Sequence, residues 1–161
     1  MITEHPPLHI VLIEPEIPPN TGNVARLCAA TGTVLHLVGP LGFSIDDKHL
    51  KRAGLDYWPH VNLQRWDDFA TLQAAYPNGR FWYTTKKATT AYTAAVYHPG
   101  DFLVFGKETK GLPDGLLTDS ARTIRIPIKN PAVRSLNLST AAGIILYEAL
   151  RQTGALVDQS G

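Results

Sequence analysis

Amide and guanidinium side chains follow the first apolar stretch of the chain, in segment 18–26 (PPNTGNVAR). A turn from a strand into a helix points backbone N–H groups at a ligand, and the Arg26 guanidinium suits a phosphate. Helix capping by Asn20 or Thr21 beside a surface arginine explains the same residues and is favoured by their types alone. Their position after a strand favours the ligand site, because open α/β sheets bind ligands there.

A second segment, 105–113 (FGKETKGLP), also leaves an apolar stretch and carries one carboxylate, Glu108, between lysines. Its glycines, Gly106 and Gly111, allow a sharp turn or a close approach of the backbone to a ligand. It is not a nucleotide-triphosphate P-loop, because Leu-Pro stands where Lys and Ser or Thr are required. No GxGxxG motif follows the first apolar stretch, which argues against a nucleotide-dependent oxidoreductase.

A third segment, 130–139 (NPAVRSLNLS), leads directly into an apolar helical pattern. Ser135, Asn137 and Ser139 are all good N-capping residues, so capping explains at least one of them. Three exceed what a cap needs. The remaining hydroxyl and amide groups can hydrogen-bond a cofactor or a ribose.

The sequence gives little indication of a metal site or of a catalytic cysteine or serine nucleophile. The six histidines form no HExxH motif and have no cysteine partners, so we expect no metal site. Cys28, the single cysteine, lies in a helical pattern and is expected to be a buried, unreactive thiol. No GxSxG motif marks a serine nucleophile.

Apolar strands alternating with helical patterns must position these segments. Strands are predicted at 8–13, 34–38, 80–85, 101–105 and 122–128. Helices are predicted from TGNVARLCAATG, from WDDFATLQAAYP and from the stretch between Leu138 and Gly154. This alternation predicts an α/β fold with a mainly parallel sheet. Ile144 and Tyr147 lie off the main apolar stripe of the last helix, and either a partner subunit or the monomer itself can cover them.

The composition predicts one domain, 1–161, with a frayed tail at 155–161. The chain of 161 residues is 44% hydrophobic and 18% charged, which is typical of a globular protein. The single cysteine fits the reducing cytoplasm, and we expect neither a signal peptide nor a membrane span. The net charge is only +1, so an RNA site must be a local basic patch. Candidate patches are Lys48, Lys51 and Arg52, then Lys86 and Lys87, then Arg122 to Arg134.

Taken in order, NTGNVAR, FGKETKGLP and SLNLSTAAGIILYEALRQ resemble the three sequence motifs of the SPOUT methyltransferases. The stretches IEPEIPPNTGN and DDKHLKRAGLDYW are similar to the minimal branch that methylates the wobble nucleotide of tRNA. The resemblance extends over nearly the whole chain. It implies a parallel sheet with helices on both faces, a C-terminal trefoil knot and a homodimer.

The resemblance also implies the residues of a site for S-adenosylmethionine, whose product is S-adenosylhomocysteine. Those assigned to the cofactor are Tyr83, Thr84, Gly106, Ile126, Ser135 and Leu136. Those assigned to catalysis are Asn20, Arg26 and Asn137, and Glu108 matches an acid near the site. Because a sulfonium is already an activated methyl donor, we expect transfer without a metal.

The function implied is 2′-O-methylation of the ribose of cytidine or uridine 34 in tRNA, with leucine tRNAs as the expected substrates. Methylation of ribosomal RNA is an alternative, disfavoured because such relatives often carry additional N-terminal domains. A non-catalytic RNA-binding module is a second alternative. It is disfavoured because the family's site residues Arg26, Gly106 and Asn137 are intact. Family accounts make Arg26 a general base, yet a guanidinium stays charged, so we expect it to clamp phosphate and stabilise the developing alkoxide.

Overall fold

The computed structural model describes residues 6–44, 48, 52, 57–118 and 120–156. Its six strands form one sheet in the order β3-β2-β1-β5-β4-β6, and every pairing between these strands is parallel. The predicted α/β fold with a mainly parallel sheet is therefore confirmed. The strands are β1 (His9–Ile13), β2 (Val34–Val38), β3 (Asn62–Trp66), β4 (Phe81–Thr84), β5 (Phe102–Phe105) and β6 (Thr123–Ile124).

Strands β1, β2 and β5 are buried at every position, as expected of the centre of a parallel sheet. The prediction over 122–128 was too long, because only Thr123–Ile124 forms a strand and Pro127 lacks a backbone donor. Strand β3 was not predicted. It reads NLQRW and is largely exposed, so its place at the sheet edge is not marked by an apolar run.

Within the described ranges, three helices with complete bounds cover the two faces of the sheet: α1 (Pro18–Thr31), α2 (Phe69–Ala75) and α3 (Leu138–Gln152). Helices α1 and α3 pack into one apolar cluster through residues such as Cys28 and Ile145. Helix α2 buries Phe69 and Leu72 in a second cluster on the other face. Helices on both faces are confirmed, and Cys28 is buried as expected, with a pKa raised by desolvation.

The topology places a crevice between the carboxyl ends of β1 and β5. In the sheet, β2 and β3 lie on one side of β1, and β5, β4 and β6 lie in that order on its other side. Loops that leave adjacent strands in opposite directions open a gap between them, and ligands bind in such gaps. The segments that follow β1 and β5 are those singled out by their chemistry.

Some expectations fall outside what the structure describes. Lys51 and most of the stretch 46–58 lie outside the described residues, as does the tail from 157 onward. The threading of the C-terminal segment into a trefoil knot stays a prediction. No helix among the described residues is long and apolar enough to span a membrane.

Candidate active site

A cavity of about 740 Å³ opens at the carboxyl edge of the sheet, within the size range of small-molecule sites. The segments after β1, β4, β5 and β6 and the segment before α3 contribute to its walls. Seven of the residues singled out in the sequence line it: Asn20, Thr84, Gly106, Ile126, Ser135, Leu136 and Asn137. Three segments far apart in the sequence therefore converge on one space.

Asn137 joins the last segment to the first. Its Oδ1 accepts from the backbone N–H of Ser139 at 2.9 Å and of Thr140 at 3.4 Å, so it is the N-cap of α3. Its Nδ2 donates to Asn20 Oδ1 at 3.0 Å, across 117 residues of sequence. One amide therefore caps a helix and fixes the first turn of α1 beside it.

The alternative role of Asn20 and Thr21 as caps of α1 is wrong. The helix begins at Pro18 after Ile17, and no side chain caps it. Proline suits the first helical position because its missing N–H would have no intrahelical partner there. The Asn20 side chain, 6% exposed, is thus directed at Asn137 rather than at its own helix.

The glycines of the second segment close a loop upon itself. A Cβ on Gly106 would stand 2.1 Å from the carbonyl carbon of Gly111 and 2.3 Å from the nitrogen of Leu112, so no side chain fits there. Gly111 has φ +68°, and its N–H donates to Lys107 O at 2.8 Å. Of the two explanations for these glycines, the sharp turn accounts for Gly106 without any ligand.

A reciprocal pair of carboxylates fastens this loop to the approach of α1. Glu108 accepts from the backbone N–H of Glu16 at 3.0 Å and of Ile17 at 2.8 Å. In return Glu16 accepts from the backbone N–H of Thr109 at 3.1 Å and from its hydroxyl at 2.8 Å. We call the pair Glu16 and Glu108 with these partners the carboxylate clasp.

The two acids of the clasp have opposite pKa shifts. Hydrogen bonds from Thr109 lower the pKa of Glu16, with smaller contributions from Lys107 and Lys110. Burial raises the pKa of Glu108, against hydrogen bonds from the backbone of Glu16 and its neighbour that lower it. Glu108 was expected near the site and lines the cavity. The role of Glu16 was missed, because a half-buried acid in a proline-rich turn gives no sequence signal of its partner.

Two of the candidate residues lie away from the cavity lining. Tyr83 is 7% exposed and belongs to the apolar cluster on the α2 face, where its hydroxyl accepts from Gln73 Nε2 at 3.5 Å. Arg26 is exposed, with its guanidinium carbon 4.8 Å from the ring centre of Tyr57. Six residues along a helix turn the side-chain direction by about 240°, so Arg26 points away from the side of α1 that carries Asn20.

The cavity combines an apolar floor with polar loops. Its apolar lining includes Leu112, Ile124, Ile126, Leu138 and Ile145. An apolar slot of this kind accepts a flat heterocycle, and loop backbone groups at strand ends supply donors and acceptors for a polar tail. The residues present therefore fit an adenosyl group bearing an amino-acid end. Among the described residues no group of three His, Cys, Asp or Glu side chains could hold a metal ion.

The fold and the cavity define an α/β ligand-binding protein whose site is built from strand-end loops. The SpoU rRNA Methylase family matches residues 7–147. The tRNA (cytidine(34)-2′-O)-methyltransferase of Escherichia coli (strain K12) is 51% identical over 150 residues, covering 91% of this chain and 94% of that one. The chain belongs to the SpoU rRNA Methylase family, and the resemblance carried by the three segments is confirmed.

Solved structures agree with this membership. One, described as giving structural insights into the 2-OH methylation of C/U34 on tRNA, has a TM-score of 0.87 and 48% identity and covers 92% of this chain and 96% of that chain. The AdoMet-bound rRNA methyltransferase from Sinorhizobium meliloti has a TM-score of 0.83 and 27% identity. It matches 96% of this chain but only 59% of its own length.

Proposed function

We propose that this chain transfers a methyl group from S-adenosylmethionine to the ribose 2′-hydroxyl of cytidine or uridine 34 in tRNA, in the cytoplasm and with leucine tRNAs among its substrates. The observation that carries the proposal is the Asn20–Asn137 hydrogen bond at the edge of the 740 Å³ cavity. It brings the first and last of the three segments into one site. The names of the relatives at about half identity support the same activity.

The cofactor would lie in the cavity between the loops after β4, β5 and β6. Thr84, Gly106, Ile126, Ser135 and Leu136 are the lining residues that would hold it. Tyr83 would contribute through its backbone at most, because its ring faces the other side of the sheet. When bound, S-adenosylmethionine supplies a methyl group on a sulfonium, which needs no metal to become transferable.

The protein must then hold a ribose in line with the cavity and stabilise its oxygen as the proton leaves. Orientation alone can contribute much of the rate acceleration of such a two-reactant transfer. The amides of Asn20 and Asn137 fix the edge at which the ribose enters. A guanidinium that stays charged cannot take the 2′-hydroxyl proton, so Arg26 stabilises the developing alkoxide and the neighbouring phosphate while the proton leaves to water.

A homodimer explains how Arg26 can act although it lies outside the cavity of its own chain. Helix α3 packs against α1, and it leaves Tyr147 47% exposed and Ile144 half-buried, so it carries an exposed apolar surface. A second copy on this face would cover it. Arg26 would then serve the cavity of the partner, and each site would consist of two chains.

The test is methyl transfer from labelled S-adenosylmethionine to a tRNA anticodon stem-loop with cytidine 34. The matched control is the same RNA with 2′-deoxycytidine at position 34, which has no oxygen to accept the methyl group. We expect label in the first RNA only, recovered as 2′-O-methylcytidine. Equal labelling of both RNAs would refute the ribose as acceptor. Labelling of ribosomal RNA with none of the stem-loop would favour the alternative substrate.

A further inference from the structure

The mouth of the cavity has an uneven distribution of charge. Six basic and two acidic side chains line it: Lys86, Lys87, Lys107, Lys110, Arg125 and Arg134 against Glu108 and Asp114. The chain as a whole has 15 basic and 14 acidic residues, so the excess belongs to this mouth. A local positive field around an open cavity attracts a polyanion.

Half of these cations have acidic neighbours within the protein. Lys87 Nζ lies 3.0 Å from Asp114 Oδ1, and Lys107 Nζ lies 4.0 Å from Glu14 Oε2. Lys110 is near the carboxylate of Glu16 in the clasp. Glu108 itself faces the backbone N–H groups before α1, so it does not neutralise the mouth as an ion-pair partner.

The other three cations, Lys86, Arg125 and Arg134, form no ion pair within the described part of the chain. Lys86 and Arg134 are exposed, and Arg125 is half-buried. The backbone of Arg125 is fixed on both sides: its N–H donates to Thr90 O at 3.0 Å, and its carbonyl accepts from Tyr92 N at 2.8 Å. These three residues stand on different loops, after β4, after β6 and before α3.

We infer that Lys86, Arg125 and Arg134 bind successive phosphates of the RNA strand whose ribose enters the cavity. The inference rests on the proposed function for the position of that ribose. Three cations on three loops around one mouth match a chain of phosphates, whereas a single small anion needs only one of them. The sequence itself suggested Lys86, Arg125 and Arg134 only as members of separate patches; the cavity brings them together.

The test measures salt dependence of binding for Lys86→Gln, Arg125→Gln and Arg134→Gln with a fluorescein-labelled tRNA anticodon stem-loop. Each phosphate contact releases counterions, so losing one reduces the slope of log Kd against log salt by about 0.7 to 0.9. We expect this reduction in each variant, together with weaker binding at a fixed potassium chloride concentration. Thermal unfolding of every variant checks that it is folded.

Arg65→Gln is the matched control because it removes the same charge from β3, at the sheet edge opposite β6. Arg65 is exposed and lies outside the cavity lining. Its slope should equal that of the wild-type protein. A slope that is unchanged in the three mouth variants, or that falls equally in Arg65→Gln, would overturn the inference, since bulk charge would then explain binding.

The outcome also separates this inference from the proposed function. If the three variants have reduced slopes but the wild-type protein transfers no methyl group, the phosphate-binding surface is supported and the proposed activity is refuted. Methyl transfer to nucleotide 34 combined with unchanged slopes would remove the surface alone. Should one variant fail to fold, the other two still decide the question.

Discussion

Side-chain hydrogen bonds between remote segments hold the candidate site at the scale of single residues. Asn137 reaches Asn20 across 117 residues, and Glu16 reaches Thr109 across 93. Asn137 also orders local backbone, because it caps α3, whereas Glu16 accepts from both the backbone N–H and the hydroxyl of Thr109. Substitutions can separate the local role of Asn137 from its role across the site.

Replacing Asn137 by serine should keep the cap and lose the contact with Asn20. Serine is a good N-cap but is too short to reach the neighbouring amide, so the free energy of unfolding should fall by about 0.5 to 1.5 kcal/mol, the usual contribution of one hydrogen bond. Asn137→Ala loses both roles and should cost about 0.5 to 2 kcal/mol more than that. Methyl transfer should fall in both variants. Urea unfolding and labelled transfer measure the two effects; full activity of Asn137→Ser would contradict the role of the contact.

Replacing Glu16 by alanine should impair transfer through the carboxylate clasp. The loop 106–111 would lose the bonds from Thr109 and keep only those that Glu108 accepts from the backbone before α1. A displacement of about 1 Å that results from this can reduce turnover by about 100-fold. Glu16→Gln retains an oxygen that accepts from Thr109, so it should recover most of the activity. Measurement of kcat and KM for both substrates in the two variants tests this. Equal activity of Glu16→Ala and the wild type would show that the clasp has no positioning role.

At the scale of elements, buried strands and amphipathic helices were predictable because apolar runs mark them directly. The convergence of Asn20 and Gly106 also followed, because carboxyl ends of parallel strands share an edge. The place of Asn137 in the same site was implied only by the family resemblance. The sequence did not predict which face of the sheet the Tyr83 side chain lies on. Strand β4 is buried on both faces, so its apolar run has no alternation to say which side chains face the cavity. Strand β3 was not predicted because it lies at the sheet edge and has no apolar run to mark it.

A buried histidine pair between β1 and β2 should make stability depend on pH. Trp66 Nε1–H donates to His36 Nδ1 at 2.9 Å, so the His36 proton lies on Nε2 and points to His9 Nδ1, also at 2.9 Å. Burial lowers the pKa of His9 to about 4. Burial and the neighbouring His9 lower the pKa of His36 to about 3. Both rings also contact Tyr76 and Phe102.

The sign follows from these lowered values. The unfolded chain binds protons at these histidines below its pKa of about 6.5, whereas the folded protein binds them only near pH 4 and below. Their contribution is therefore complete above pH of about 6.5 and is lost as the pH falls, by up to about 1.4 kcal/mol per pH unit for each proton.

Urea unfolding at pH 7 and at pH 5 measures this loss. The double variant His9→Gln/His36→Gln cannot titrate there and should show a flatter pH dependence. Exposed His60→Gln is the control and should behave like the wild type. A double variant with the wild-type pH dependence would mean that other groups cause the loss.

At the scale of the whole molecule, the proposed homodimer would complete each site with residues from two chains. Arg26 lies outside its own cavity, and Tyr147 is exposed on α3, the helix that packs against α1. Mixing two inactive variants tests whether Arg26 acts across the dimer. Arg26→Ala lacks the guanidinium, and Gly106→Val cannot close its loop, because a Cβ would stand 2.1 Å from Gly111.

Refolding the two variants together should restore about a quarter of the wild-type activity, because half of the dimers would be mixed and each would have one intact site. Each variant alone should be inactive, and size-exclusion chromatography should show dimers in every sample. An inactive mixture that contains mixed dimers would contradict action across the interface and place Arg26 with its own chain.

Nucleoside mass spectrometry on tRNA from a strain that lacks this gene tests the central claim most directly. The account predicts that 2′-O-methylcytidine or 2′-O-methyluridine at position 34 disappears and that the wild-type gene restores it. The Gly106→Val gene should not restore it, although the protein is present. Unchanged 2′-O-methylation at position 34 in the deletion strain would contradict the account.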